Sequence, residues 1–169
     1  MVANEGLTAL EVLGVAIQSE IEAAALYARL AGQVRNATLA AKLDFLRREE
    51  EKHRSILQDV YKHRFPDVAL QLPAQSPVPT VDTAALASMT VPELFQLAMR
   101  AEQLASDFYA READRSFDEM GRTTLRYLSH VESGHYKMLE TEYELVSRFP
   151  DYYNADEFHF GDELMHIGP

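Results

Sequence analysis

The chain has 169 residues, 47% of them hydrophobic and 25% charged, which is the make-up of one globular domain with a sizeable core. It contains no cysteine, and this excludes disulfides, thiol catalysis, zinc ribbons and cysteine-held iron–sulfur centres. A formal charge of −11 opposes binding to a phosphate backbone, and no apolar run approaches the ~18 residues of a membrane span. The first ten residues hold Glu5 and no basic side chain, unlike a signal peptide. The expectation is therefore a cytoplasmic protein with neither nucleic acid nor membrane as partner.

Apolar residues recur at helical spacing almost throughout. Thr8 and Glu11 form a capping-box pattern at the start of a first helix, predicted over about 8–34. A second helix follows over 36–64. Residues 65–89 carry Pro66, Pro73, Pro77 and Pro79, which forbid a continuous helix and predict an extended crossover. Thr90 with Glu93, and Pro92 in the first turn, open a third helix over 90–115. Ser116 with Glu119 predicts a third capping box and a fourth helix over 117–148. Residues 150–169 form an acidic, aromatic tail with no predicted regular structure. Residues 1–149 thus read as an all-α four-helix bundle: two hairpins joined by one long crossover. A plain up-down bundle with a loose middle loop fits the helix pattern equally well.

The two hairpins repeat one another. At an offset of 82, residues 8–64 match residues 90–146 without a gap, with 15 identities in 57 pairs, where composition alone gives roughly 3–4. The repeat includes polar residues at inward positions. Glu20 pairs with Glu102, Glu50 with Glu132 and His53 with His135. In the second helix the seam runs Leu39, Leu43, Leu46, Glu50, His53, Leu57, Val60; in the fourth it runs Gly121, Leu125, Leu128, Glu132, His135, Leu139. Tyr27 and Tyr109 lie two turns beyond Glu20 and Glu102 on the same faces.

Four carboxylates in a bundle interior must be protonated, paired with basic residues, or bound to metal. No basic residue lies on the inner stripe beside them, although Arg47 or Arg100 can bend inward. Two divalent cations with neutral imidazoles balance the four negative charges. Oxygen and imidazole donors without sulfur suit iron or manganese and tolerate zinc. A single Glu-x-x-His is weak evidence, and the one at Glu163–His166 in the tail has no repeat partner. The matched pair Glu50/His53 and Glu132/His135, with Glu20 and Glu102 at the same offset, is specific. The competing reading is a structural polar core.

With these residues in place, the chain resembles the ferritin-like superfamily, and within it the diiron domain of rubrerythrins, over residues 8–148. The resemblance implies two iron ions. Glu20 and Glu102 would be terminal ligands, Glu50 and Glu132 bridging ligands, and His53 and His135 caps on opposite ions. Tyr27 and Tyr109 match tyrosines close to the metal pair; each would bond a ligand carboxylate or pass an electron, or be an aromatic with its hydroxyl satisfied. The resemblance also implies a homodimer. Two departures stand out. Peroxide-reducing rubrerythrins carry a four-cysteine rubredoxin domain, absent here, so electrons would come from another protein or from Fe(II) itself. They also commonly have a further Glu three residues after the third-helix ligand, where this chain has Ala105. The expectation is an oxidoreductase acting on peroxide or O₂, with a ferroxidase or a non-catalytic metal-binding bundle as alternatives.

His63 and His130 lack repeat partners and are expected at the surface. Gly134, in mid-helix beside His135, suggests a close helix approach.

Overall fold

A computed structural model describes residues 7–149; the tail, with Glu163 and His166, lies outside them. Four helices span α1 (Ala9–Gln33), α2 (Ala37–Arg64), α3 (Val91–Arg115) and α4 (Glu119–Arg148). With no strand among the described residues, this is the ferritin-like four-helix bundle.

The helix starts follow the capping chemistry, with one correction. Glu11 accepts the Thr8 backbone N–H at 2.9 Å, and Glu93 accepts that of Thr90 at 2.7 Å, so both predicted boxes form. Asn36 caps α2 by accepting the Leu39 N–H at 2.9 Å. The Ser116–Glu119 box does not form. Ser116 is still the C-cap of α3, its N–H bonded to Glu112 O at 3.0 Å, so it cannot also start the next helix. Asp118 caps α4 instead, accepting the Gly121 N–H at 2.6 Å, and α4 begins at Glu119 rather than 117.

α1 packs along α2 and α3 along α4, with α1 also against α4. The core divides into two apolar clusters. One holds Leu13 and Ile17 of α1, Leu57 of α2, Tyr109 of α3 and Leu125 of α4. The other holds Tyr27 of α1, Leu43 of α2, Phe95 of α3 and Leu139 of α4. Every helix thus contributes to both clusters, and the stretch between its two contributions carries the polar residues Glu20, Glu50 with His53, Glu102, or Glu132 with His135. The second seam needs adjustment at its end: Val60 is 36% exposed, and Tyr61, one position on, is buried in its place.

The crossover is irregular, with a hydrogen-bonded turn from Phe65 to Val68 and one 3₁₀ turn, Leu86–Ser88, and it lies on α1. At Gly14 a Cβ would come within 3.3 Å of the Gln71 carbonyl oxygen, so the absence of a side chain lets the two backbones approach. Further on, the Ser76 N–H donates to Glu22 Oε1 at 2.9 Å, and Arg29 Nη1 donates to Thr83 Oγ1 at 3.1 Å. Gly134 shows no comparable approach: a Cβ there would meet open space, so the close packing expected beside His135 is absent and nothing in the structure explains this glycine. His63 and His130 are exposed, as expected.

Candidate metal centre

The helical register brings all six repeat-matched residues to one level of the bundle. Glu20, Glu50, Glu102, Glu132 and His135 are buried, and His53 nearly so, at 12% side-chain exposure. Donor atoms of Glu20, Glu50 and His53 lie within 4.8 Å of one another, as do those of Glu50, Glu102, Glu132 and His135. Each group therefore contains a Glu from the first helix of one hairpin and a Glu-x-x-His residue from the second. Glu50 belongs to both groups. Glu132 belongs to the second, although its charge also acts on Glu20. The two imidazoles face each other, stacked with ring centroids 5.4 Å apart. The three-residue spacing does this work: on a helix it sends both side chains from the same face.

Electrostatically the cluster is unbalanced. Burial and the neighbouring Glu132 charge push the Glu20 carboxyl well above its usual range. Burial and Glu102 do the same to Glu132, against the pull of His135. Glu50 is the exception. Burial pushes it up, but His135 and His53 beside it outweigh that and hold it at about 2. Burial alone would lower His135; Glu102, Glu132 and Glu50 around it instead raise it well above the ordinary imidazole range. In the metal-free protein, an imidazolium at His135 is thus the counter-charge to the surrounding carboxylates. His135 Nδ1 lies 3.0 Å from Glu50 Oε1, 3.5 Å from Glu132 Oε2 and 3.7 Å from Glu102 Oε2. Neither Arg47 nor Arg100 turns in to neutralise the cluster; Arg47 bonds outward to Asp44 at 2.7 Å and Glu51 at 2.6 Å.

Both carboxylate oxygens of Glu20 are buried without a hydrogen-bond partner, and Glu50 Oε1 and His135 Nδ1 face each other 3.0 Å apart as an ion pair without hydrogen-bond geometry. An unsatisfied buried polar atom costs about 1–3 kcal/mol, more when charged, so a concentration of them around one point fits a cation-binding site. All are oxygen or imidazole nitrogen, the donor types iron accepts.

The two tyrosines are wholly buried, on opposite sides of the polar level. Tyr27 Oη donates a short hydrogen bond to Glu102 Oε1. Tyr109 faces Ser19, and its hydroxyl lacks a hydrogen bond of good geometry. Burial, followed by nearby carboxylates, pushes both phenols well above their usual value, so both keep their protons. No motif or periodicity marks Glu22, Arg29, Ser76 and Thr83, which fasten the crossover beside the cluster. Single hydrogen bonds between a helix and an irregular segment leave no periodic trace.

Comparison with known proteins agrees with this geometry. No curated protein matches the chain. Among solved structures, a hypothetical protein from Pyrococcus furiosus is 31% identical and superposes with a TM-score of 0.62, covering 84% of this chain and 92% of that one. Residues 11–143 match the sequence profile of the Rubrerythrin family, a span that includes all four helices' polar residues. A buried Glu/His cluster at mid-height, on a duplicated hairpin, and a profile match across that whole scaffold place the chain in the rubrerythrin family.

Proposed function

We propose that this protein is a dinuclear iron oxidoreductase that reduces peroxide or O₂ and takes its electrons from an external donor protein. The observation that carries this reading is the convergence of six Glu and His side chains from four helices, with both oxygens of the buried Glu20 carboxylate unpartnered. Glu20 with His53 and Glu102 with His135 would hold one iron each, with Glu50 and Glu132 between them. Bound iron would supply one-electron redox chemistry and a place for a small oxidant.

The chain's own residues prepare that chemistry. The apolar clusters above and below the polar level keep water from reaching it along the bundle axis. Tyr27 fixes one oxygen of Glu102 and leaves the other to face His135. Glu50, held ionised by the imidazoles, lies within reach of both donor groups. Manganese or zinc would fit the same donors, but only a redox-active metal performs this reaction. On the same reading the protein is a cytoplasmic homodimer, which size measurement by light scattering tests.

A second reading is a ferroxidase, in which Fe(II) is the substrate. It is favoured by Ala105, which supplies no donor and leaves the cluster at six. Elemental analysis after reconstitution with Fe(II), followed by stopped-flow mixing with H₂O₂, separates the readings. Two retained irons per chain, oxidised rapidly by peroxide, support the oxidoreductase. Many irons oxidised and released per chain support the ferroxidase. No stoichiometric iron overturns both and leaves a non-catalytic bundle.

A further inference from the structure

A cavity of about 390 Å³ opens beside the cluster, between α1, α3 and the crossover. Tyr27, Glu102 and Glu132 lie at its inner end. Ala23, Ala101 and Ala105 line it beside them, and the crossover from Val78 to Val81 covers it. The space has two physical origins. On the helices, Ala23 and Ala105 are repeat partners one turn after Glu20 and Glu102, so the same small residue clears room on both. On the crossover, the two fastenings to α1 are Glu22 to Ser76 and Arg29 to Thr83. Seven residues separate them on each side: about 10 Å along the helix, but up to about 23 Å of extended chain. The longer stretch of crossover lines the gap with Val78, Pro79, Thr80 and Val81.

The cavity is far larger than H₂O₂ requires, since a water molecule occupies only about 30 Å³, and it falls in the size range of sites for organic molecules. Its walls are mixed, with somewhat more apolar than polar surface. Near its mouth Glu22 accepts from Ser76 and Gln18, and Arg29 donates one of its N–H groups to Thr83. Three carboxylates line the cavity, Glu22, Glu102 and Glu132, against one cation, Arg29, so the charge balance opposes an anionic guest and a neutral one fits best.

We infer that this cavity binds a neutral organic molecule with a compact apolar body and one polar head directed at Glu102 and Glu132, and that its substrate is an organic hydroperoxide. The substrate assignment rests on the peroxide-reducing reading above; the binding site does not. In the reaction the O–O bond of ROOH breaks, two electrons from the external donor protein and two protons are consumed, and ROH and water leave.

The test has a binding arm and a rate arm. Binding of 2-phenylpropan-2-ol, the product of cumene hydroperoxide, to the metal-free protein is measured by ligand-observed NMR. Oxidation of the ferrous-loaded protein is then compared between cumene hydroperoxide and H₂O₂. Ala105→Phe fills the cavity, and Thr80→Trp, at an exposed position of the crossover that lines it, obstructs it with little demand on folding; circular dichroism checks both. The alcohol is expected to bind, and each variant to weaken that binding and to lower the cumene hydroperoxide to H₂O₂ rate ratio about tenfold or more, the scale of steric discrimination in an apolar pocket. Absence of alcohol binding, or an unchanged ratio in both variants, overturns the inference while leaving rapid H₂O₂ reduction intact. Binding of the alcohol with no oxidation by either peroxide supports the pocket and overturns the peroxide-reducing reading together with the substrate assignment.

Discussion

Tyr27 reaches from α1 to donate its hydroxyl to Glu102 on α3, and its repeat counterpart Tyr109 makes no matching bond to Glu20. Two positions equivalent in sequence thus have different partners. Tyr27→Phe leaves a buried carboxylate oxygen without its donor and is expected to lower metal-free stability by about 1–3 kcal/mol. Tyr109→Phe removes a hydroxyl that is already unsatisfied, so its effect is expected to be under about 1 kcal/mol. Urea unfolding of the two variants in the presence of a chelator checks the difference.

Two carboxylates of the cluster should respond in opposite ways to neutralisation. Glu20 has no hydrogen-bond partner and a strongly raised pKa, so Glu20→Gln removes a buried charge penalty and is expected to raise metal-free stability at pH 7.5. Glu50→Gln leaves His135 without its closest counter-charge and is expected to cost about 3 kcal/mol or more. Both variants should lower iron occupancy, measured by elemental analysis after reconstitution.

Stability of the metal-free protein should fall as pH rises toward neutrality. Glu20 and Glu132 have folded-state pKa values above the unfolded one. Their contribution is therefore complete below about pH 4.3 and is lost as pH rises through the raised values. Glu50 acts with the opposite sign: its lowered pKa of about 2 stabilises above the unfolded value and is lost toward that acid limit. The combination puts the metal-free optimum on the mildly acidic side. Metal binding needs deprotonated carboxylates, so iron affinity should instead weaken in that range. Urea midpoints at pH 5 and 7.5, with chelator and with Fe(II), test the reversal.

Gly134→Ala is expected to stabilise the protein by about 1 kcal/mol. The position is exposed and mid-helix, and a Cβ there touches nothing within 4 Å. A higher melting temperature with unchanged iron content is the predicted result; a lower one would show that the glycine has a role in packing or assembly.

The cluster was legible in the sequence because two independent periodicities coincide on it. Helical spacing puts Glu50 and His53 on one face, and the internal repeat puts Glu132 and His135 on the equivalent face, so chance had to act twice. The crossover was legible only as a break in helicity. Its prolines exclude helix, but nothing in their pattern says that it lies on α1 or is fastened by Glu22 and Arg29. Local competition also defeated the pattern. Ser116 has the right spacing to Glu119, yet its backbone already terminates α3, and Asp118 takes the cap. At the end of α2, a step of four to Tyr61 replaces the step of three to Val60. Tyr61 there packs in the core and donates its hydroxyl to Ala69 O at 3.2 Å.

Fastening the crossover to α1 has a consequence for the architecture as a whole. Two separate copies of one hairpin, associating as equals, would present their shared interior identically on opposite flanks. Fusing the copies into a single polypeptide demands a tether, and the tether can cover only one flank. The fusion itself therefore gives the molecule a front and a back, and a guest approaching the centre meets a different wall on each.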